Sequence, residues 1–225
     1  MPAKTLRPFV HLNAAMSLDG KIATYSGDSR MSSPEDLRRV HQLRASVDAI
    51  MVGIRTLLRD DPRLTVKFLR GTSPSRIIVD SRARTPLNSY VVRTAKETPT
   101  IIAVTSSAAK KKIVQLQRKG VRVLACGRGS RVSLKLLLKR LKSLGIGRIL
   151  LEGGGELNWS MLSEGLVDEM SVAITPRVLG GTRATSVIAG KGVAQVKDGI
   201  RLKATGTSRF GPDLVVKYKV LKGGR

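Results

Sequence analysis

Apolar positions in this chain fall into short continuous runs separated by amphipathic stretches, and that alternation predicts the fold. Phe9-Val10-His11-Leu12-Asn13-Ala14-Ala15 reads as a strand ending in the turn residues Ser17, Asp19 and Gly20. Ser33-Pro34-Glu35-Asp36 then supplies a cap, a proline at the first helical position and acidic residues in the first turn, as helices begin. The spacing predicts a helix to about Ser46 with Leu37, Val40 and Leu43 on one face and Arg38, Arg39 and Arg44 on others. Glu35 and Asp36 fall in its solvent-biased first turn, and His41, in an Arg-rich helix, is expected at the surface. Ala49-Ile50-Met51-Val52 is a strand closed by Gly53, and a short helix through Leu57 and Leu58 stops at Asp60-Asp61-Pro62.

The pattern repeats, with strands expected at Arg76 to Asp80, Thr100 to Thr105, Val121 to Ala125 and Ile149 to Leu151, and helices to Lys119 and from Ser133 to Leu144. Strands alternating with helices predict an α/β fold with a mostly parallel central sheet and helices on both faces. From Asp168 the helices vanish, and runs at Met170 to Thr175, Leu202 to Ser208 and Leu214 to Val220 predict antiparallel C-terminal strands on the same sheet. No Pro/Gly/Ser linker or repeat interrupts the chain, so residues 1–225 read as one domain with its core at about 7–220.

The richest stretch is Ile149-Leu150-Leu151-Glu152-Gly153-Gly154-Gly155-Glu156, a strand, a glycine turn and the start of a helix carrying Leu157, Trp159, Met161 and Leu162. Glycines let a backbone approach a ligand closely, and a helix N-terminus offers N–H donors and a positive dipole end to a phosphate. A tight turn with no ligand fits the same residues. The spacing is not G-x-G-x-x-G and no acid ends the following strand, which argues against an ordinary dinucleotide-binding fold. Other polar segments also fall at strand ends, where α/β ligands gather: Gly53 with Thr56, Asp60 to Leu64, Asp80-Ser81-Arg82, Thr105-Ser106 and Cys126-Gly127-Arg128.

Charge changes the picture. The formal net charge is +25, and Ser81 to Leu151 holds seventeen Lys or Arg against the single acid Glu97. Such a field attracts polyanions and phosphorylated metabolites, but aromatic residues are only 3% of the chain, too few to stack single strands. Nucleic acid is therefore not expected as the primary ligand. One cysteine, Cys126, with two histidines, His11 and His41, cannot complete a cysteine-based metal site, so no metal is expected. With no apolar stretch of about 18 residues and no leader, a cytoplasmic protein with no membrane partner is expected.

Six motifs in consistent order resemble the reductase family of riboflavin biosynthesis, the archaeal-type 2,5-diamino-6-ribosylamino-pyrimidinone 5′-phosphate reductases related to the C-terminal domain of bacterial deaminase-reductases. They are Ser17-Leu18-Asp19-Gly20-Lys21-Ile22-Ala23, Val52-Gly53 through Asp60-Asp61-Pro62-Arg63-Leu64-Thr65-Val66, Ile78-Val79-Asp80-Ser81, Leu151 to Gly155, Gly165 to Glu169, and Pro176-Arg177-Val178-Leu179-Gly180-Gly181. The resemblance implies a dihydrofolate-reductase-like fold, a homodimer, and NADPH-dependent reduction of a ribosylamino group to a ribitylamino group on a phosphorylated pyrimidine. It places Thr56, Asp60, Val79, Ser81, Gly153, Gly154, Gly155 and Glu156 against NADPH, and Asn13, Ser33, Arg44, Arg63, Leu64 and Glu152 on the substrate side. The bacterial proteins typically carry lysine where Asn13 stands, so lysine-assisted proton transfer is impossible here.

Asp60 and Glu152 are the carboxylates at strand-end motifs and the candidate catalytic residues. Arg82, Arg84 and Arg128 are candidates for the cofactor 2′-phosphate, and Arg44 and Arg63 offer fork-shaped donors to a substrate phosphate. Ser33 could act purely as a cap. Asp60-Asp61-Pro62 suits a helix stop, yet two carboxylates against the negative end of a helix dipole favour a functional reason for at least one. His11 is expected to be structural or superficial. The rivals are dihydrofolate reductase itself, which would bury a carboxylate in its first helix, and a basic nucleic-acid-binding protein.

Overall fold

The structure, a computed structural model, describes residues 6–67 and 73–221. In chain order its elements are β1 (Phe9–Ser17), β2 (Lys21–Ala23), α1 (Pro34–Ala45), β3 (Ala49–Gly53), α2 (Ile54–Asp60), β4 (Ser75–Val79), α3 (Tyr90–Arg93), β5 (Thr100–Val104) and α4 (Lys110–Arg118). They continue with β6 (Arg122–Ala125), α5 (Leu134–Ser143), β7 (Arg148–Leu151), α6 (Gly155–Ser163), β8 (Glu169–Thr175), β9 (Thr185–Ser186), a short 3-10 turn at Val196–Asp198, β10 (Leu202–Phe210) and β11 (Asp213–Val220). The chain divides into two compact units, Met1–Phe9 with Leu43–Leu150 and Val10–Gln42 with Leu151–Arg225.

In the first unit the strands lie in the order β7-β3-β4-β5-β6, and β3 to β6 run parallel, with Val52 beside Ile78 and Ile78 beside Ile102. Ile50, Val52, Ile78, Ile102 and Val104 pack with Leu57 and Leu116 into a core closed to water. Strands buried on both faces explain the unbroken apolar runs of the sequence. On α5 the buried residues are Leu134, Leu137, Leu138 and Leu141, one helical stripe, and Ser133 Oγ accepts from Leu136 N at its start. Arg76 is a fully buried cation in β4. It donates to Thr100 Oγ1, Thr94 Oγ1 and the carbonyls of Val91, Thr94 and Thr98 at 2.8–3.1 Å, and burial pushes its pKa down to about 10.

In the second unit the order is β10-β11-β8-β1. β1 and β8 are parallel, whereas β11 is antiparallel to both β8 and β10, so the fold is mixed α/β with a mostly parallel sheet and antiparallel C-terminal strands. β2 and β9 form a separate antiparallel pair. These two- and three-residue strands and the four-residue α3 are too short to leave a periodic signal.

Helix α1 overturns three expectations. It buries Asp36, Arg39 and His41, while Leu37 is 48% exposed. Its first turn is not solvent-biased, His41 is not superficial, and its buried side is not the apolar one. The reason lies in what it packs on: Asn13 is in register with Ser171 and Ser17 with Thr175, and alternate residues of a strand share a face. That face is polar and buried, so hydrogen-bond partners chose the orientation of α1.

Candidate functional site

Parallel strands bring the carboxyl ends of β4, β5 and β6 to one edge of the first unit. Val79 ends β4, and the next residues lace that edge together. The Ser81 carbonyl accepts from Thr105 N and Oγ1, both at 3.0 Å, Ser81 Oγ accepts from Val132 N at 3.1 Å, and Ser106 N donates to Gly127 O at 3.0 Å. Because Ser81 Oγ accepts there, its own proton is left to donate elsewhere. Asp80 is fully buried. Its Oδ2 accepts from Thr85 N and Oγ1 at 2.8 Å, Oδ1 has no hydrogen-bond partner, and Arg84 Nε stands 3.6 Å from it. Arg82 and Arg128 are exposed on this edge, and Ala83 holds φ 54° between Arg82 and Arg84, the kind of strain that collects at ligand loops.

A second cluster of that unit surrounds Asp60 to Thr65. Asp60 pairs with its neighbour Arg59 through Nε at 2.8 Å and Nη2 at 3.2 Å. Asp61, at φ 36°, ends α2 and accepts from Tyr90 N at 2.9 and 3.2 Å, capping the start of α3. Each carboxylate thus has a structural partner, which removes the dipole argument for function. Arg63 lies 5.3 Å from the Tyr90 ring centroid, Arg44 Nη1 donates to Thr65 O at 3.2 Å, and Thr56 is half-buried on α2. Leu64 is 2% exposed with φ 51°, so a ligand here meets its backbone rather than its side chain.

In the second unit, Glu152 is half-buried and Gly154 caps α6 with no side-chain hydrogen bond, which leaves first-turn N–H groups for a ligand or water. Glu156 is exposed in that first turn. Two of the three glycines are required by the protein itself. Gly153 has φ +87°, and a Cβ there would stand 3.1 Å from Asn158 Nδ2; a Cβ at Gly155 would strike Ser186 O.

Asn13 and Ser33 belong to one buried polar network. Asn13 Oδ1 accepts from Arg39 Nη2 at 3.0 Å, and Arg39 Nε donates to Asp36 Oδ1 at 2.7 Å. A guanidinium only donates, so the Asn13 oxygen faces Arg39 and its NH2 points away. Ser33 Oγ accepts from Asp36 N at 3.1 Å and donates to Phe210 O at 3.0 Å, while Ser33 N donates to Asp213 Oδ2 at 2.8 Å. Ser33 is a cap with both hydroxyl functions engaged. Asp36 Oδ2, Thr175 Oγ1 and Asp213 Oδ1 have no partner. Sequence reasoning passed over Asp36, Arg39 and Asp213; the three-residue spacing of Ser33, Asp36 and Arg39 along α1 was the available signal.

Two sequence motifs meet at Asp19. Its carboxylate accepts from Ser17 Oγ at 2.6 Å, Leu179 N at 3.0 Å and Gly180 N at 2.7 Å, and these bonds, Ser17 foremost, hold its pKa down to about 2. His11 Nε2 is 2.6 Å from Ser171 Oγ, a structural place. Burial pushes the Cys126 thiol up. Among the described residues no group of three His, Cys, Asp or Glu is placed to hold a metal, and no helix is long and apolar enough to cross a membrane.

The architecture defines a dihydrofolate-reductase-like α/β protein: dihydrofolate reductase from Enterococcus faecalis matches 94% of this chain and 96% of its own with a TM-score of 0.55 and 11% identity, a likeness of fold alone. The chain belongs to the RibD C-terminal domain family, whose model matches residues 8–216. It is 50% identical over 218 residues to the 2,5-diamino-6-ribosylamino-4(3H)-pyrimidinone 5′-phosphate reductase of Methanothermobacter thermautotrophicus, covering 96% of this chain and 99% of that protein. A structure of Acinetobacter baumannii RibD matches with a TM-score of 0.83 and 28% identity over 96% of this chain, which spans 59% of the larger protein. Asp36, a wholly buried carboxylate in α1, corrects the argument that separated this chain from dihydrofolate reductase; the difference between 50% and 11% identity now carries that separation.

Proposed function

We propose that the chain is an NADPH-dependent reductase that converts 2,5-diamino-6-(5-phosphoribosylamino)pyrimidin-4(3H)-one to its ribitylamino product in riboflavin biosynthesis. The observation that carries this reading is the 50% identity extending over 99% of the Methanothermobacter reductase. The residues present fit the cofactor: the α6 N-terminus lacks a side-chain cap, Ser81 Oγ keeps a free proton, and Arg82, next to it in sequence, and Arg128, just beyond β6, are exposed. NADPH, when bound, supplies the hydride. On this reading Thr56, Asp60, Val79, Ser81 and Gly153 to Glu156 bind it, and Arg82 and Arg128 hold its 2′-phosphate. Arg44 and Arg63 grip the substrate phosphate, the Leu64 backbone and Ser33 shape its side, Asn13 offers its NH2 as a donor, and Asp60 and Glu152 orient the reacting groups.

Both units serve one reductase domain, located in the cytoplasm and assembled as a homodimer. The dimer is supported by β10, an outer strand with eight of nine residues exposed, and by an apolar groove of about 180 Å³ lined by Trp159, Leu162, Met170, Ile188, Ile200 and Leu202 in the same unit. Unpaired strand edges invite a second chain.

The test is to titrate with NADPH, add the ribosylaminopyrimidine phosphate and follow absorbance of the reduced nicotinamide. A contact to the 2′-phosphate worth about 1.5–3 kcal/mol gives roughly 10- to 150-fold preference over NADH. The product is expected two hydrogens heavier, with no ammonia released. Turnover of dihydrofolate but not of the pyrimidine refutes the reading, as does a folded protein that leaves NADPH unoxidised.

A further inference from the structure

We propose that Tyr90 is a positioning residue for substrate binding: its ring holds the guanidinium of Arg63 in place for the substrate phosphate. This rests on the reading of Arg63 as one of the two arginines that grip that phosphate. Arg63 is exposed in the loop after α2, and its Cζ lies 5.3 Å from the centroid of the Tyr90 ring. Among the described residues no hydrogen bond or ion pair engages its guanidinium. The two acids beside it are occupied elsewhere. Asp60 pairs with Arg59 Nε at 2.8 Å, and Asp61 accepts from Tyr90 N at 2.9 and 3.2 Å.

The loop that carries Arg63 is fixed on both sides of it. Asp61, at φ 36°, ties the loop to the start of α3, and Leu64, at φ 51°, enters the same buried cluster as Val91 and Val92 of α3. A bulky residue in the left-handed region is uncommon and persists only where its surroundings hold it there. The Arg63 backbone is thereby set against α3, and Tyr90, half-buried at the first position of that helix, meets its side chain. Anchoring of the loop does not account for the ring, because Asp61 bonds the Tyr90 backbone N and any residue but proline would serve. Arg93, 5.9 Å from the same centroid, does not account for it either, since residues three apart on a helix are neighbours by spacing alone, whereas Arg63 arrives from another element. An aromatic face suits the task better than an acid. A carboxylate partner would take N–H donors of the fork and neutralise its charge, whereas a ring restrains the side chain and leaves both the donors and the charge for a phosphate. A free arginine must give up rotamer freedom when it binds, so this restraint is read as affinity.

The experiment is a double-mutant cycle of Tyr90 and Arg63, read by steady-state kinetics with the ribosylaminopyrimidine phosphate and by direct titration with ribose 5-phosphate, which reports on the phosphate site without turnover. Tyr90→Leu and Tyr90→Met remove the ring but keep apolar bulk and the Asp61 bond to the backbone. Each should raise KM for the pyrimidine and Kd for ribose 5-phosphate about two- to fivefold, with kcat unchanged, and Tyr90→Phe, which keeps the ring, should restore the parent values. Arg63→Gln should raise both constants about tenfold or more, and adding Tyr90→Leu to it should change nothing further. KM for NADPH should stay at the parent value in the Tyr90 variants, because its 2′-phosphate is held by other arginines. Parent constants in both Tyr90→Leu and Tyr90→Met, beside raised ones in Arg63→Gln, overturn this inference alone; parent constants in Arg63→Gln overturn it together with the reading of Arg63. Equal effects of Tyr90→Leu with and without Arg63, or a loss of NADPH affinity in place of pyrimidine and ribose 5-phosphate affinity, also overturn it. The ribose 5-phosphate titration decides the matter whether or not the pyrimidine is reduced.

Discussion

Replacing Gly153 with alanine perturbs the turn into α6 in two separable ways. A side chain at φ +87° pays the positive-φ penalty of about 1–2 kcal/mol. The new Cβ would also stand 3.1 Å from Asn158 Nδ2 and 3.2 Å from Oδ1. Asn158 is 1% exposed and donates to Val187 O at 2.9 Å, so displacing its amide costs about another 1 kcal/mol. The sum of about 2–3 kcal/mol lowers Tm by roughly 4–12 °C for a chain of this size. Gly165→Ala is the control: it has φ +67° but nothing within 4 Å of its Cβ position, and so bears only the backbone cost. Thermal unfolding should place Gly153→Ala a further 2–4 °C or so below Gly165→Ala, and NADPH titration should weaken for Gly153→Ala alone. Equal losses of Tm refute the Asn158 argument. Unchanged NADPH affinity in folded Gly153→Ala removes the turn from the cofactor site.

Asp36→Asn leaves Arg39 buried without its charge partner and should cost about 3–5 kcal/mol, read as a lowered Tm; parent-like stability would mean that the pair is not a buried ion pair in solution. Asp60→Asn and Glu152→Gln should lower turnover more than Tm, because Asp60 is exposed at the C-terminal end of α2 and Glu152 is half-buried just after β7, neither of them in the core, and a variant with full activity takes that residue out of the site. Asp19 has a folded pKa of about 2 against an ordinary 3.8, so its stabilisation is complete above the ordinary value and is lost as pH falls toward about 2. Unfolding curves measured down this range should converge for the parent and Asp19→Asn; a gap that is constant with pH refutes the assignment.

The local pattern of this chain sufficed for what depends on local burial. Val52, Ile78 and Ile102 sit in unbroken apolar runs because strands covered on both faces have no polar side to show, and the C-terminal strands announced themselves by the loss of helical spacing. The resemblance of six motifs also placed the family before any fold was in view. What only the tertiary structure decided was pairing between distant polar groups. The orientation of α1 follows from Asn13 and Asp213, which lie 26 residues before Arg39 and 180 after Ser33, and no periodicity in residues 34–45 records them. The same holds for Asp61, whose partner Tyr90 is 29 residues away, and for Gly155, where a Cβ would strike the carbonyl oxygen of Ser186. A sequence shows where water is excluded over a few residues; which buried donor meets which acceptor is settled only when the chain folds back on itself.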